Sequence, residues 1–144
     1  MNLIFPSYKL KTEIRGNQEY VWDIIRKKWI LLQKEEYIRQ LLVHYLIEEK
    51  QVSRVLISVE KEILYNELRK RFDVVVFNRE GKPHILCEVK APDIPLAQDT
   101  LHQIARYNAV IKAPHLLITN GQNLLFFSQT EAGKYIQKKD WEVN

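Results

Sequence analysis

Phe72-Asp73-Val74-Val75-Val76-Phe77 and Ile85-Leu86-Cys87-Glu88-Val89-Lys90 are the two stretches on which the fold turns. Both are apolar at odd and even positions alike, as expected of central strands covered on both faces. Between them Asn78-Arg79-Glu80-Gly81-Lys82 reads as a hairpin turn, which makes the two runs neighbours. Charges are costly to bury in such strands, and three interrupt these: Asp73, Glu88 and Lys90. By the strand period of two, Leu86, Glu88 and Lys90 share one face, with carboxylate and ammonium about 6 to 7 Å apart along the strand. In a hairpin, Asp73 at the start of the first run lies near Glu88 and Lys90 at the end of the second.

Outward from this pair, residues 8–32 alternate apolar and polar side chains around a Gly16-Asn17 turn, which predicts an opening β-hairpin or small meander. Ile38, Leu41, Leu42 and Tyr45 recur at helical spacing and predict a first helix over about 34–50, with Glu35 and Glu36 in its first turn. Val55, Ile57 and Val59 predict a strand, and residues 63–68 a second short one. Ala91-Pro92 stops the sheet, and Leu101, Ile104, Ala105 and Val110 predict a second helix over about 96–111. Strands follow at 115–119 and 124–127 around an Asn120-Gly121 turn, then a short polar tail from Gln129 onward. The expected fold is α/β (α+β), a central mixed β-sheet flanked by helices. The chain reads as a single domain over 1–144: an N-terminal β-hairpin at about 8–32, a core at about 33–128 and the tail.

Composition agrees with one self-sufficient core. At 144 residues a chain buries roughly 70% of the surface its unfolded form exposes, and 46% hydrophobic residues with only four glycines exclude a disordered or fibrous chain. The single cysteine, Cys87, lies in an apolar run, so it reads as a buried structural thiol and gives no support for an oxidising compartment. No signal-peptide core and no run of membrane-spanning length is present, so a soluble, cytoplasmic protein without membrane contact is expected. The net charge of +4 favours a polyanionic partner, with Arg26-Lys27-Lys28, Arg69-Lys70-Arg71 and Lys138-Lys139 as phosphate contacts or as solvated charge.

Two carboxylates converging in a sheltered site repel each other unless a cation intervenes, and hard oxygen ligands select Mg²⁺ or Mn²⁺. A neighbouring lysine can hold or help deprotonate a water, a combination suited to phosphodiester hydrolysis. The plainer alternative pairs Asp73 with Arg71 or Lys90 and Glu88 with Lys90 as buried ion pairs. His44, His84, His102 and His115 lack metal-ligand spacing and read as structural, with His102 a weak nucleic-acid candidate. Trp22, Trp29 and Tyr37 read as core.

Asp73, fourteen intervening residues and then Glu88-Val89-Lys90 resemble the D...(D/E)xK signature of the PD-(D/E)xK nuclease superfamily. More specifically, the chain resembles the N-terminal nuclease domain of type I restriction enzyme R subunits. The resemblance rests also on Lys34-Glu35-Glu36-Tyr37-Ile38-Arg39-Gln40, Glu88-Val89-Lys90-Ala91-Pro92, Gln103-Ile104-Ala105-Arg106-Tyr107-Asn108 and Leu117-Ile118-Thr119-Asn120-Gly121, and spans about residues 20–127. It implies a restriction-endonuclease-like fold and cleavage of DNA to products bearing a 5′-phosphate. Mg²⁺ (or Mn²⁺) would be held by Asp73, Glu88 and the backbone carbonyl of Val89, with Lys90 positioning the attacking water. Gln103 and Tyr107 match the family's QxxxY element, and their spacing of four puts both on one helix face, within reach of DNA phosphate or the site. Glu36 matches the acidic residue of the first helix, which can ligate a metal through water; from the sequence alone it serves the helix dipole.

Two departures bear on function. Phe72 stands where the superfamily motif has proline, and no G-x-x-x-x-G-K-[ST] phosphate loop is present. The expectation is therefore a nuclease domain without the ATPase motor, acting as a homodimer or with restriction-system subunits. The competing expectation is a catalytically inactive nucleic-acid-binding or assembly module with the same fold.

Overall fold

The computed structural model describes residues 2–143. Along them run β1 (Thr12–Arg15), β2 (Gln18–Asp23), β3 (Lys28–Leu31), α1 (Lys34–Glu48), a 3₁₀ turn (Arg54–Leu56), β4 (Ile57–Tyr65), β5 (Leu68–Phe77), β6 (Pro83–Val89), α2 (Gln98–Ile111), β7 (His115–Thr119), β8 (Leu124–Gln129) and β9 (Tyr135–Lys138). The first three strands form a small antiparallel sheet, and β4 to β9 form a six-stranded sheet in sequence order. Within the larger sheet β6 and β7 pair in parallel, and α2 supplies the crossover such a pair requires. The result is the mixed α+β fold the sequence predicts.

The two helices cover opposite faces of the sheet, which is why β5, β6 and β7 are apolar at both parities. On one face Ile38, Leu41, Leu42 and Leu46 of α1 pack with Val74, Val76, Ile85, Cys87 and Leu117. On the other, Ile104 of α2 packs with Val75, Leu86, Leu116 and Ile118. α2 ends at Lys112, whose φ of 64° is left-handed, and buried Asn108 seals that end. Its Oδ1 accepts the Ala113 N–H at 2.7 Å while its Nδ2 donates to the Ala113 carbonyl at 2.9 Å. Among the described residues no helix is long and apolar enough to cross a membrane.

Three sequence expectations need correction. The strands expected at 55–59 and 63–68 are one strand, β4, joined to a longer β5 by the turn at Asn66-Glu67. That turn has neither glycine nor proline; Asn66 alone supplies the left-handed residue, with φ 57°. Val55 lies outside the sheet, in the 3₁₀ turn, exposed. The opening element is a three-stranded meander, one of the two forms expected, but it begins at Thr12 rather than Tyr8, whose ring instead stacks on His44 of α1 at 5.7 Å. Finally, the polar tail is structured: β9 pairs with β8, and beyond it Trp141 is buried, stacked on Phe126 with ring centres 4.2 Å apart. β9 is an edge strand exposed at nearly every position, so its sequence carries no apolar alternation.

The C-terminal segment is therefore part of the core, and Trp141→Ala is expected to cost about 3 kcal/mol in urea unfolding, in the range for large aromatic truncations. An unchanged midpoint would mean that the ring contributes no packing.

Candidate active site

The ladders on both sides of β5 are interrupted at one level. Pairing with β6 ends at Val74↔Cys87, and pairing with β4 passes from Val59↔Val74 to Lys61↔Phe72, omitting Glu60 and Asp73. Phe72 packs on the α2 side although Val74, two residues on, packs on the α1 side, so the strand turns over at Asp73. Opposite it Glu60 holds φ 55°, a left-handed conformation costing a non-glycine residue about 1–2 kcal/mol. Beyond this point the β4–β5 hairpin leaves β6 and opens the sheet. Asp73 fills the missing rung, its Oδ2 accepting the Val89 N–H at 2.8 Å. In such a ladder a residue's N–H and C=O face the same edge, so the Val89 carbonyl also faces β5.

Asp73 and Glu88 meet in this gap, both largely buried, their carboxyls close enough to compete for one proton. Burial, together with the adjacent Asp73 carboxylate, pushes the Glu88 carboxyl up to about 8. Burial acts to raise Asp73 too, but hydrogen bonds from Glu88, Arg39 and the Val89 N–H outweigh it and hold Asp73 below its ordinary value. A neutral Glu88 thus donates to an ionised Asp73. The other Glu88 oxygen, Oε1, is buried without a hydrogen bond, with Lys70 Nζ at 3.4 Å as an ion-pair neighbour outside hydrogen-bonding geometry.

Arg39 of α1, only 5% exposed, organises the opposite side. Its Nη1 donates to Glu36 at 2.6 Å, and its Nη2 lies 2.8 Å from Asp73, 2.9 Å from Glu60 and 3.3 Å from Glu35. Burial disfavours its charge, yet the Asp73 hydrogen bond and the Glu36 charge raise its pKa further. Glu36 is engaged on both oxygens: besides Arg39 it accepts from Arg26 at 2.8 Å and Gln40 at 3.0 Å. Arg26 and Gln40 also bind Asp23 at the end of β2, so Glu36 ties the meander to α1. Its neighbour Glu35 is the α1 carboxyl nearer the gap, raised by burial and by Asp73 and lowered in turn by Arg39 and Lys90.

Lys90 lies just past β6, where its N–H donates to the Thr119 carbonyl at 2.9 Å. Among the described residues no carboxylate lies within 4.0 Å of its ammonium, though Lys90 lies near enough to Glu35 to lower that carboxyl's pKa. Tyr107 of α2 is half-buried, edge-on to Phe72 at 6.4 Å, with Lys70 Nζ 5.6 Å from its ring centre. Tyr107 therefore borders the Glu88 side of the gap through Lys70. Gln103, one turn earlier, is exposed and makes no side-chain hydrogen bond with the described residues.

Among the described residues the expected ion pairs do not form: Asp73 pairs with Arg39, Lys70 Nζ lies 3.4 Å from the protonated Glu88, and Arg71 lies 3.7 Å from Glu60. Sequence reading missed Arg39 and Glu60, and gave Glu35 only a place in the helix's first turn and Lys70 only a place in a basic cluster. Arg39 was legible from Glu35-Glu36-x-x-Arg39, since spacings of three and four face one another on a helix. Of the basic clusters, Arg26 is consumed by Asp23 and Glu36, and Arg69 lies 3.4 Å from Glu62. His84 lies edge-on to His115 at 4.9 Å, His44 stacks on Tyr8, and His115 is pushed down to about 4 by burial, with His84 and Lys138 adding to it, whereas His102 is exposed on α2. Cys87 is buried and free.

A divalent cation finds suitable but few donors here. Glu88 Oε1 lacks a donor, Asp73 oxygens have spare lone pairs, and the Val89 carbonyl faces the same edge. Among the described residues no group of three His, Cys, Asp or Glu side chains is placed to hold a metal. Mg²⁺ asks less of the protein, binding through one or two carboxylates and completing its shell with water and phosphate oxygens.

A mixed sheet parted between two strands, with acidic side chains at the parting, accords with a restriction-enzyme nuclease-like domain, the class that the family match supports. The family is narrower: residues 34–140 match the type I restriction enzyme R protein N terminus, and the chain belongs to that family. No curated protein matches it. The β1–β3 meander lies ahead of the matched segment.

Arg39→Ala leaves Glu36 and Asp73 buried without their main cation and is expected to cost about 3–5 kcal/mol in urea unfolding; a loss below about 1 kcal/mol would show the network to be dispensable. A second expectation concerns pH. The folded pKa of Glu88 lies above its ordinary 4.5, so folding retains a proton that the unfolded chain releases between 4.5 and about 8. That stabilisation is complete below 4.5 and is lost as pH rises through about 8, by up to about 1.4 kcal/mol per pH unit. Asp73, lowered, acts only below its ordinary 3.8. Unfolding free energies in EDTA should fall from pH 5 to pH 8 in the wild type and stay flatter in Glu88→Gln; parallel curves would contradict the shared proton.

Proposed function

We propose that this domain is a Mg²⁺- or Mn²⁺-dependent nuclease that hydrolyses phosphodiester bonds in DNA. The observation that carries the reading is Glu88, a carboxyl buried against Asp73 with one oxygen in no hydrogen bond, at a parting of the sheet, with Lys90 the next residue past the end of β6. Asp73, Glu88 and the Val89 carbonyl would hold the ion, Glu88 giving up its proton as they do so. A bound divalent cation supplies Lewis-acid polarisation of the phosphoryl oxygen and a lowered pKa for water.

The chain's own residues do the rest. Lys90 holds the attacking water by hydrogen bonding and opposes the charge that builds on the phosphoryl oxygens. Water adds to phosphorus and the P–O3′ bond breaks, leaving a 5′-phosphate and a 3′-hydroxyl. Tyr107, with Lys70 beside its ring, borders the gap where the strand's phosphates would lie, and Gln103 extends that helix face into solvent. Family membership supports DNA as the substrate and other restriction-system subunits as partners.

One observation favours a second reading, an inactive DNA-binding or assembly module: Arg39 and Lys70 already bring positive charge to Asp73 and Glu88. Cleavage separates the two. With Mg²⁺ or Mn²⁺ the purified protein should nick or degrade DNA, and Glu88→Ala and Lys90→Ala should each slow this on the order of a hundredfold or more. Wild type and Lys90→Ala equally inert on every substrate and metal would sink the enzyme reading, and salt-sensitive DNA binding indifferent to EDTA and to Asp73→Asn would establish the module.

A further inference from the structure

The β1–β3 meander presents an aromatic and cationic face that the proposed chemistry does not use. Register puts Glu13 opposite Tyr20, Arg15 opposite Gln18, Trp22 opposite Trp29 and Tyr20 opposite Leu31, while the Lys11 carbonyl accepts the Trp22 N–H. Directly opposed residues share a face, so Lys11, Glu13, Arg15, Tyr20, Trp22 and Trp29 stand together. The other face carries Val21 and Asp23, both buried, and Asp23 is fixed to α1 through Arg26 and Gln40. The aromatic face therefore points away from the body of the protein, on a rigid mount.

None of the three rings packs with either core cluster. What partly covers them is each other and two cations. Trp22 and Trp29 meet edge to face at 5.5 Å, and Lys11 Nζ lies 5.6 Å from both ring centres. The Arg15 guanidinium lies 5.1 Å from the Tyr20 ring and 5.6 Å from the Trp29 ring. The acid on this face, Glu13, is 3.1 Å from Arg15.

We propose that this face is a stacking platform for an unpaired nucleic-acid strand, with bases on Tyr20, Trp22 and Trp29 and phosphates on Lys11 and Arg15. Charge complementarity selects this occupant. The centre of a protein–protein interface is depleted of lysine and acids, whereas here Lys11 lies over both tryptophan rings and Glu13 stands beside Arg15. Sites for single strands interleave ring faces with cations, because every base offers a π-face and every linkage a charge. Tyr20 and Trp22 stand about 6.5 Å apart along β2 and Trp29 about 5 Å across on β3, room for about two or three bases. On binding, Lys11 and Arg15 move from the rings to the phosphates. The inference concerns binding and stands independently of the cleavage reading.

The test is tryptophan fluorescence with EDTA throughout, so that no outcome depends on catalysis. The remaining tryptophan, Trp141, is buried against Phe126 and contributes a constant background. Oligothymidylate or oligouridylate of about ten nucleotides should quench the emission saturably at low salt. Trp22→Ala and Trp29→Ala should each weaken binding about tenfold, while Trp29→Phe, which keeps a ring, retains most of it. Lys11→Gln with Arg15→Gln, at exposed positions, should flatten the salt dependence. Absence of quenching, alanine variants that bind as tightly as wild type, or blunt duplex bound as tightly as single strand would each overturn the proposal. So would a self-associating protein that Trp29→Ala makes monomeric and that binds no oligonucleotide, an outcome that assigns the face to a protein partner.

Discussion

One buried guanidinium, that of Arg39, is the constraint on which the rest of this structure depends. It lies among Glu35, Glu36, Glu60 and Asp73, which come from α1, β4 and β5. Removing a cation and its carboxylates from water costs several kcal/mol per ion, recovered only where geometry and further hydrogen bonds are good. Here they are: Glu36 takes three donors, and Asp73 takes Arg39 and the Val89 N–H besides its contact with Glu88. The same contacts fix where α1 lies on the sheet, bind the meander through Asp23 and Arg26, and hold Asp73 at the point where β5 parts from β6.

That parting is a local defect in the ladder, held open by specific contacts. A regular ladder would put Phe72 and Val74 on one face, send Asp73 to the other, away from Arg39, and leave no gap at Glu88. Instead Glu60 adopts a left-handed conformation, the pairing of β5 is interrupted on both sides, and the Asp73 side chain replaces a backbone acceptor for Val89. Strain held by surrounding contacts is typical of functional positions. Arg39 neutralises Asp73 but does not reach Glu88, so the two carboxyls part in behaviour: Asp73 stays ionised and Glu88 keeps a proton. A pair of titratable groups driven apart in this way is the electrostatic form of a site poised to exchange a proton for a cation.

Much of this was legible in the sequence. The doubly apolar runs at 72–77 and 85–90 gave the central strands, and the intervals Asp73 to Glu88 and Gln103 to Tyr107 gave the family. What escaped was what pattern cannot carry. The β4–β5 hairpin turns on Asn66 without glycine or proline, and that split in the reading hid Glu60. β9 is an exposed edge with no alternation, so a core strand neighbour and Trp141 passed for a tail. Helical spacing brings both Glu35 and Glu36 near Arg39, but only tertiary packing decides that Glu36 turns inward to Arg26 while Glu35 stays near the gap. Trp22 and Trp29 read as core because large aromatics usually are, and strand register places them on the outward face.

The central claim is that Asp73 and Glu88 form a divalent-cation site in place of a shared proton, and calorimetric titration of Mn²⁺ at pH 7 in two buffers of different ionisation enthalpy tests it most directly. The account predicts saturable binding abolished by Asp73→Asn, with about one proton released per ion bound because Glu88 is protonated before the ion arrives. Absence of binding, or binding that survives Asp73→Asn and releases no proton, would contradict it.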